Sequence, residues 1–155
     1  MSEKLVRDWK KVFVSDLIYI AHELKETARP KALIFLEGPM GAGKTTFAKN
    51  FISDDQTFSP SYSVLSETGS VLHGDFYRLK DSNEIIHLEL GLYLEDKNYF
   101  LVEWGKSHLS TLLKELPENY ELYSLEFTVN TEAQREGDEK SSFSRNLALY
   151  KINEF

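Results

Sequence analysis

The stretch Gly38-Pro39-Met40-Gly41-Ala42-Gly43-Lys44-Thr45 leaves few folds open, because it has meaning only with a strand before it and a helix after it. Both flanks are present. The apolar run Ala32-Leu33-Ile34-Phe35-Leu36 precedes it, and a helical stretch from Thr46 through Phe51 follows. The spelling is that of a phosphate-binding loop, Gly-x4-Gly-Lys-[Ser/Thr]. Its glycines let the backbone approach phosphate oxygens without a Cβ in the way. Its N–H groups, with the positive end of the next helix, form a nest for anions. Lys44 brings a mobile charge to the outer phosphates, and the Thr45 hydroxyl suits a Mg2+ ion bridging them. The plain alternative, a glycine turn ahead of an ordinary helix, does not account for the flanks. Gly105-Lys106-Ser107 has the same ending but Phe100 where the first glycine belongs, so it is set aside.

At 155 residues the chain reads as a single domain with room for a core. Its 41% apolar and 13% aromatic content places it among globular chains. No apolar run is long enough to span a bilayer, and no basic-then-apolar leader is visible. Cysteine is absent, which excludes disulfides and thiolate metal sites and agrees with a cytoplasmic location. A net charge of −7 and a pI near 5.1 argue against direct nucleic-acid binding, which calls for a basic face. An acidic body around an anion site points instead to small anions held locally and to protein partners.

Ser15-Asp16 looks like a helix N-cap, followed by Leu17, Ile18, Ile20, Ala21, Leu24 and Ala28 at helical spacing. Val12-Phe13-Val14 reads as extended. The helix after the loop runs to about Ile52. Strands are expected at Tyr62–Ser66 and Val71–Tyr77 around a turn at Thr68-Gly69-Ser70, with a helical patch from Asp81. Tyr99–Val102 is uninterrupted and apolar, as suits a strand buried on both faces of a parallel sheet. Leu109, Leu112, Leu113 and Leu116 suggest a further helix. Leu122–Val129 and Phe143–Ile152, separated by the charged turn Arg135–Lys140, read as a closing hairpin. The expected fold is α/β: a mostly parallel sheet of the P-loop NTPase kind, flanked by helices, with a C-terminal β-hairpin.

Phosphate chemistry needs an acid at a neighbouring strand end for the metal shell and a group that orients the attacking water. Glu103 ends the most apolar strand and is assigned to the metal side with Thr45. Asp75 ends a more mixed strand and is assigned, with Lys44, to catalysis. His73-x-Asp75 could be a metal pair, yet no third ligand stands at a suitable spacing. Trp104 either packs or covers the site. Ser59-Pro60-Ser61-Tyr62-Ser63 follows the first helix, where a segment in such proteins commonly responds to nucleotide.

Behind the loop, Ser59-Pro60-Ser61-Tyr62-Ser63, His73-x-Asp75-x-Tyr77-Arg78-Leu79 and Leu101-Val102-Glu103-Trp104 stand in order. Together they resemble the TsaE (YjeE) family of small bacterial ATPases, clearly over about residues 10 to 110. The resemblance implies an ATPase serving synthesis of threonylcarbamoyladenosine beside the tRNA anticodon, with TsaD-like and TsaB-like partners and tRNA met only through the complex. It implies ATP and Mg2+ as ligands, Gly38 to Thr46 as the cradle, Thr45 and Glu103 on the metal, Asp75 for hydrolysis, and Ser59 to Ser63 as a switch. Where the family usually has Gly-Asp-Leu-Gly, this chain has Gly38-Pro39-Met40-Gly41, so residue 39 has no amide to donate. Arg135 is the nearest match to an arginine that the family places near the nucleotide base, and Ser15 is a further candidate contact. Arg78 is the nearest internal candidate for a second cation. A small-molecule kinase on the same fold is the first alternative, and a non-catalytic nucleotide-gated binding module another. A GTPase is disfavoured, since no Asn-Lys-x-Asp guanine reader is present.

Overall fold

In the computed structural model, residues 1–52, 64–134 and 143–153 are described. The strands are β1 (Ser2–Val12), β2 (Ala32–Glu37), β3 (Leu65–Thr68), β4 (Val71–Asp75), β5 (Tyr99–Glu103), β6 (Glu121–Gln134) and β7 (Phe143–Asn153). The helices are α1 (Leu17–Thr27), α2 (Lys44–Ile52), α3 (Asn83–Ile86), α4 (Gly91–Leu94) and α5 (Leu109–Glu115). All strands join one seven-stranded sheet in the order β1-β7-β6-β2-β5-β4-β3.

Alternation along the central strands divides the apolar residues cleanly. Ala32, Ile34 and Leu36 of β2, with Tyr99 and Leu101 of β5, meet α1 and α2 on one face. Leu33 and Phe35, with Phe100 and Val102, meet Ile85, Leu94 and Leu112 of α3, α4 and α5 on the other. Burial on both faces explains why β2 and β5 read as unbroken apolar runs. On α2, Lys44, Phe47, Ala48, Phe51 and Ile52 are buried, the stripe that the helical period requires.

The sheet is mixed, which corrects the expectation of a mostly parallel one. β6–β2, β2–β5 and β5–β4 are parallel, while β1–β7, β7–β6 and β3–β4 are antiparallel. The cause lies in the connections. β3 and β4 are joined by a tight turn in which Gly69 takes a φ of 59°, and the closing hairpin sets β7 against β6. The hairpin is not an appendage, because β6 pairs in parallel with β2 itself.

The N-terminal strand was missed. β1 is exposed along nearly all its length, so it carries no apolar alternation for the eye to find. The expected helix cap at Ser15 is also corrected. Residues Val14–Asp16 form a short 3-10 turn, and the Asp16 carboxylate accepts the Phe13 N–H at 2.9 Å, closing the helix start in place of the Ser15 hydroxyl. Among the described residues no helix is long and apolar enough to cross a membrane.

Tyrosines buttress this scaffold. Tyr120 donates its hydroxyl to the carbonyls of Leu94 at 2.8 Å and Lys97 at 3.0 Å, and Tyr99 donates to that of Ala28 at 2.9 Å. Burial pushes the Tyr120 phenol up to about 12 and raises those of Tyr99 and Tyr123. The folded state therefore holds the proton more tightly than the unfolded chain, whose tyrosines titrate near 10. Their contribution is complete below about pH 10 and lost as pH climbs towards 12. Denaturant midpoints measured from pH 8 upward should fall above 10, and Tyr120→Phe should flatten that fall; an equally steep fall in the variant contradicts the assignment.

Candidate functional site

The loop leaves the C-terminal end of β2 with Gly38 at φ 152° and Gly43 at φ 105°. At both places a Cβ would also meet a close neighbour. A Cβ on Gly38 would lie 2.7 Å from the Phe127 carbonyl oxygen, and one on Gly43 would lie 2.8 Å from an Arg145 guanidinium nitrogen. The loop closes on itself through Ala42 N–H to Pro39 O at 3.1 Å, so residue 39 contributes its carbonyl where it has no amide to give.

Parallel register carries the acids to the same level. Leu36 at the end of β2 pairs with Glu103 of β5, which pairs with Asp75 of β4. The Thr45 hydroxyl, at the start of α2, donates to both Glu103 oxygens, at 2.9 and 3.1 Å. Glu103 is only 3% exposed, and His73 Nε2 sits 2.7 Å from its Oε2. Asp75 accepts the Tyr77 N–H at 3.1 Å, which fixes the carboxylate at the strand end.

Lys44 is buried and donates to the Gly38 carbonyl, with its Nζ 3.6 Å from the centre of the Trp104 ring. Burial pulls its ammonium below the ordinary lysine value, against the opposing pull of Glu103, Glu37 and Asp75. Trp104 itself takes a φ of 60°, a left-handed conformation that costs a bulky residue energy and marks functional turns. Its ring stands 5.1 Å from that of Tyr77. Trp104 thus covers the lysine, resolving the choice between packing and cover in favour of both.

Met40, Gly41, Gly43, Lys44, Thr45, Thr46, Asp75 and Glu103 border one open cavity of about 350 Å³. Gly38, Pro39 and Ala42 do not border it. Ser15 does not border it either; its neighbour Val14 does. Arg78 is exposed and also stands off the cavity wall. Arg135 and the segment Ser59, Pro60, Ser61, Tyr62 and Ser63 lie outside the described residues.

Arg145 of β7 is the residue that sequence reasoning passed over. It is 5% exposed, borders the cavity, and donates to the carbonyls of Ala42 at 3.2 Å and Phe143 at 2.9 Å. Among the described residues its Nε is buried without a hydrogen-bond partner, and no carboxylate pairs with it. Burial lowers its pKa, yet a guanidinium stays charged, so a buried cation stands against the loop. The signal was there: Arg145 falls on the inward register of β7 with Leu147 and Leu149, where a charge needs a reason.

A loop of this spelling, with a threonine tied to a buried acid, a second acid at strand level and a tryptophan after the first, can be set against known proteins. A family described as "Threonylcarbamoyl adenosine biosynthesis protein TsaE" matches residues 14–137. The chain belongs to the TsaE family. It is 33% identical over 107 residues to the tRNA threonylcarbamoyladenosine biosynthesis protein TsaE of Bacillus subtilis, covering 63% of this chain and 65% of that protein. It is 29% identical over 121 residues to the protein of that name from Rickettsia typhi, covering 71% and 76%. The matches span 65%, 60% and 58% of the first three relatives' lengths, so the chain covers less than two thirds of each. The crystal structure of Bacillus subtilis YdiB superposes with a TM-score of 0.60 at 23% identity, over 99% of this chain and 89% of that one, and shares its fold.

Lys44→Ala should weaken nucleotide binding about tenfold to a hundredfold, since a hydrogen bond to a charged group contributes ~1.5–3 kcal/mol. A fluorescence titration with labelled nucleotide measures this, and an unchanged Kd would remove Lys44 from the site.

Proposed function

We propose that this chain binds ATP with Mg2+ in the loop cavity and hydrolyses it slowly, in support of tRNA threonylcarbamoyladenosine synthesis alongside TsaD-like and TsaB-like proteins. The observation that carries the reading is the pair of hydrogen bonds from Thr45 to Glu103. A threonine hydroxyl and a carboxylate, both oxygen donors at the foot of a phosphate nest, are the hard-ligand set that Mg2+ takes when it also binds phosphates. The pathway comes from the family and from the names of the relatives.

The residues divide the work. The amides after Gly38 and the start of α2 receive phosphate oxygens. Lys44 exchanges the Gly38 carbonyl for those oxygens while remaining under the Trp104 ring. Thr45 and Glu103 hold the metal side. Bound there, Mg2+ would neutralise charge on the outer phosphates. Asp75, at the same strand level, orients water and takes its proton. Arg145 supplies the second cation, from the hairpin in place of Arg78.

Glu103→Gln is expected to spare the fold and weaken Mg2+-dependent binding, because an amide is a poor ligand for a hard cation. Asp75→Asn is expected to keep ATP bound and slow its hydrolysis. Binding and turnover measured on both variants test the division, and identical or reversed defects contradict it. Turnover by the chain alone should fall well short of the ~10 per second typical of enzymes and rise with the partner proteins, which commonly complete such sites. Turnover near that rate without partners overturns the dependence.

A further inference from the structure

The His73-x-Asp75 spacing, open to a metal-pair reading in the sequence, has another explanation in the fold. Residues two apart on β4 point to one face of the sheet, so Asp75 borders the cavity while His73 lies one step deeper. His73 is 7% exposed and does not border the cavity. Its Nε2 lies 2.7 Å from Oε2 of Glu103. With Glu103 as a carboxylate, which only accepts, the contact is a hydrogen bond when the imidazole carries its hydrogen on Nε2.

The contact removes an ambiguity. The Thr45 hydroxyl reaches both Glu103 oxygens almost equally, at 2.9 Å to Oε1 and 3.1 Å to Oε2, and alone leaves the carboxylate free to exchange them. His73 touches Oε2. With that oxygen engaged, Oε1 keeps the shorter bond to Thr45.

We propose that His73 is a positioning residue for the metal side of the site, holding Oε2 so that Oε1 and the Thr45 hydroxyl are presented together to the cation. The proposal rests on the Mg2+–ATP reading above. Groups one hydrogen bond behind a metal-binding side chain commonly change metal affinity about tenfold to a hundredfold when removed. A merely structural histidine would alter stability and leave the metal response alone.

The test is calorimetry with a non-hydrolysable ATP analogue, in EDTA and across a Mg2+ series, on the wild-type chain, His73→Leu, His73→Gln and Glu103→Gln. Affinity in EDTA should agree within about twofold among the wild-type chain, His73→Leu and His73→Gln. The Mg2+ concentration that gives half the full affinity gain should rise about tenfold or more in His73→Leu. It should return most of the way in His73→Gln, whose amide can donate. A wild-type Mg2+ response in His73→Leu, with the response lost in Glu103→Gln, overturns the proposal and leaves the site reading intact. A response kept in Glu103→Gln refutes the site reading, and the proposal falls with it. Should His73→Leu not fold, nitrogen NMR of the wild-type histidines decides: Nε2 of His73 should be protonated and should shift with Mg2+ and analogue together but not with analogue alone. An unprotonated Nε2, or no Mg2+-dependent shift, is equally fatal.

Discussion

The hydrogen bonds between Thr45 and Glu103 hold the site together, because they fasten the start of α2 to the centre of the sheet. A carboxylate that is 3% exposed must be satisfied from within the protein, and its partners come from two different elements. Thr45 reaches down from the helix, and His73 reaches across from β4. The bonds therefore fix where α2 begins, and with it the height of the phosphate loop above β2. Everything that borders the cavity inherits that placement.

The back of the loop depends on the closing hairpin. Phe127 of β6 leaves no room for a side chain at Gly38, and the Arg145 guanidinium of β7 packs against Gly43. The same arginine donates to the Ala42 carbonyl and brings a cation to the cavity. An acidic chain thus sets two buried cations, Lys44 and Arg145, against one loop. Burial lowers the pKa of both, and each gains by the arrival of an anion.

Much of this was legible in the sequence for a definite reason. The strand–loop–helix, the paired acids and the β5 strand carry their signal locally, in glycine spacing and in an unbroken apolar run. What was missed depends on long-range pairing. β1 gains its partner from β7, far away in sequence, while its own side chains face water. The parallel pairing of β6 with β2 cannot be seen in a hairpin read alone. Arg145 and His73 matter through contacts with Ala42 and Glu103, residues on other elements, and only the inward register of Arg145 hinted at its place. Ser15 failed as a cap because Asp16, the next residue, closes the turn in its stead.

The most direct measurement is paramagnetic broadening of backbone amide NMR signals by Mn2+, standing in for Mg2+, added with ATP to the unmodified chain. The account predicts ATP-dependent broadening centred on Thr45, Thr46, Asp75 and Glu103. Broadening that needs no ATP, or that falls elsewhere and leaves Thr45 and Glu103 sharp, would contradict it.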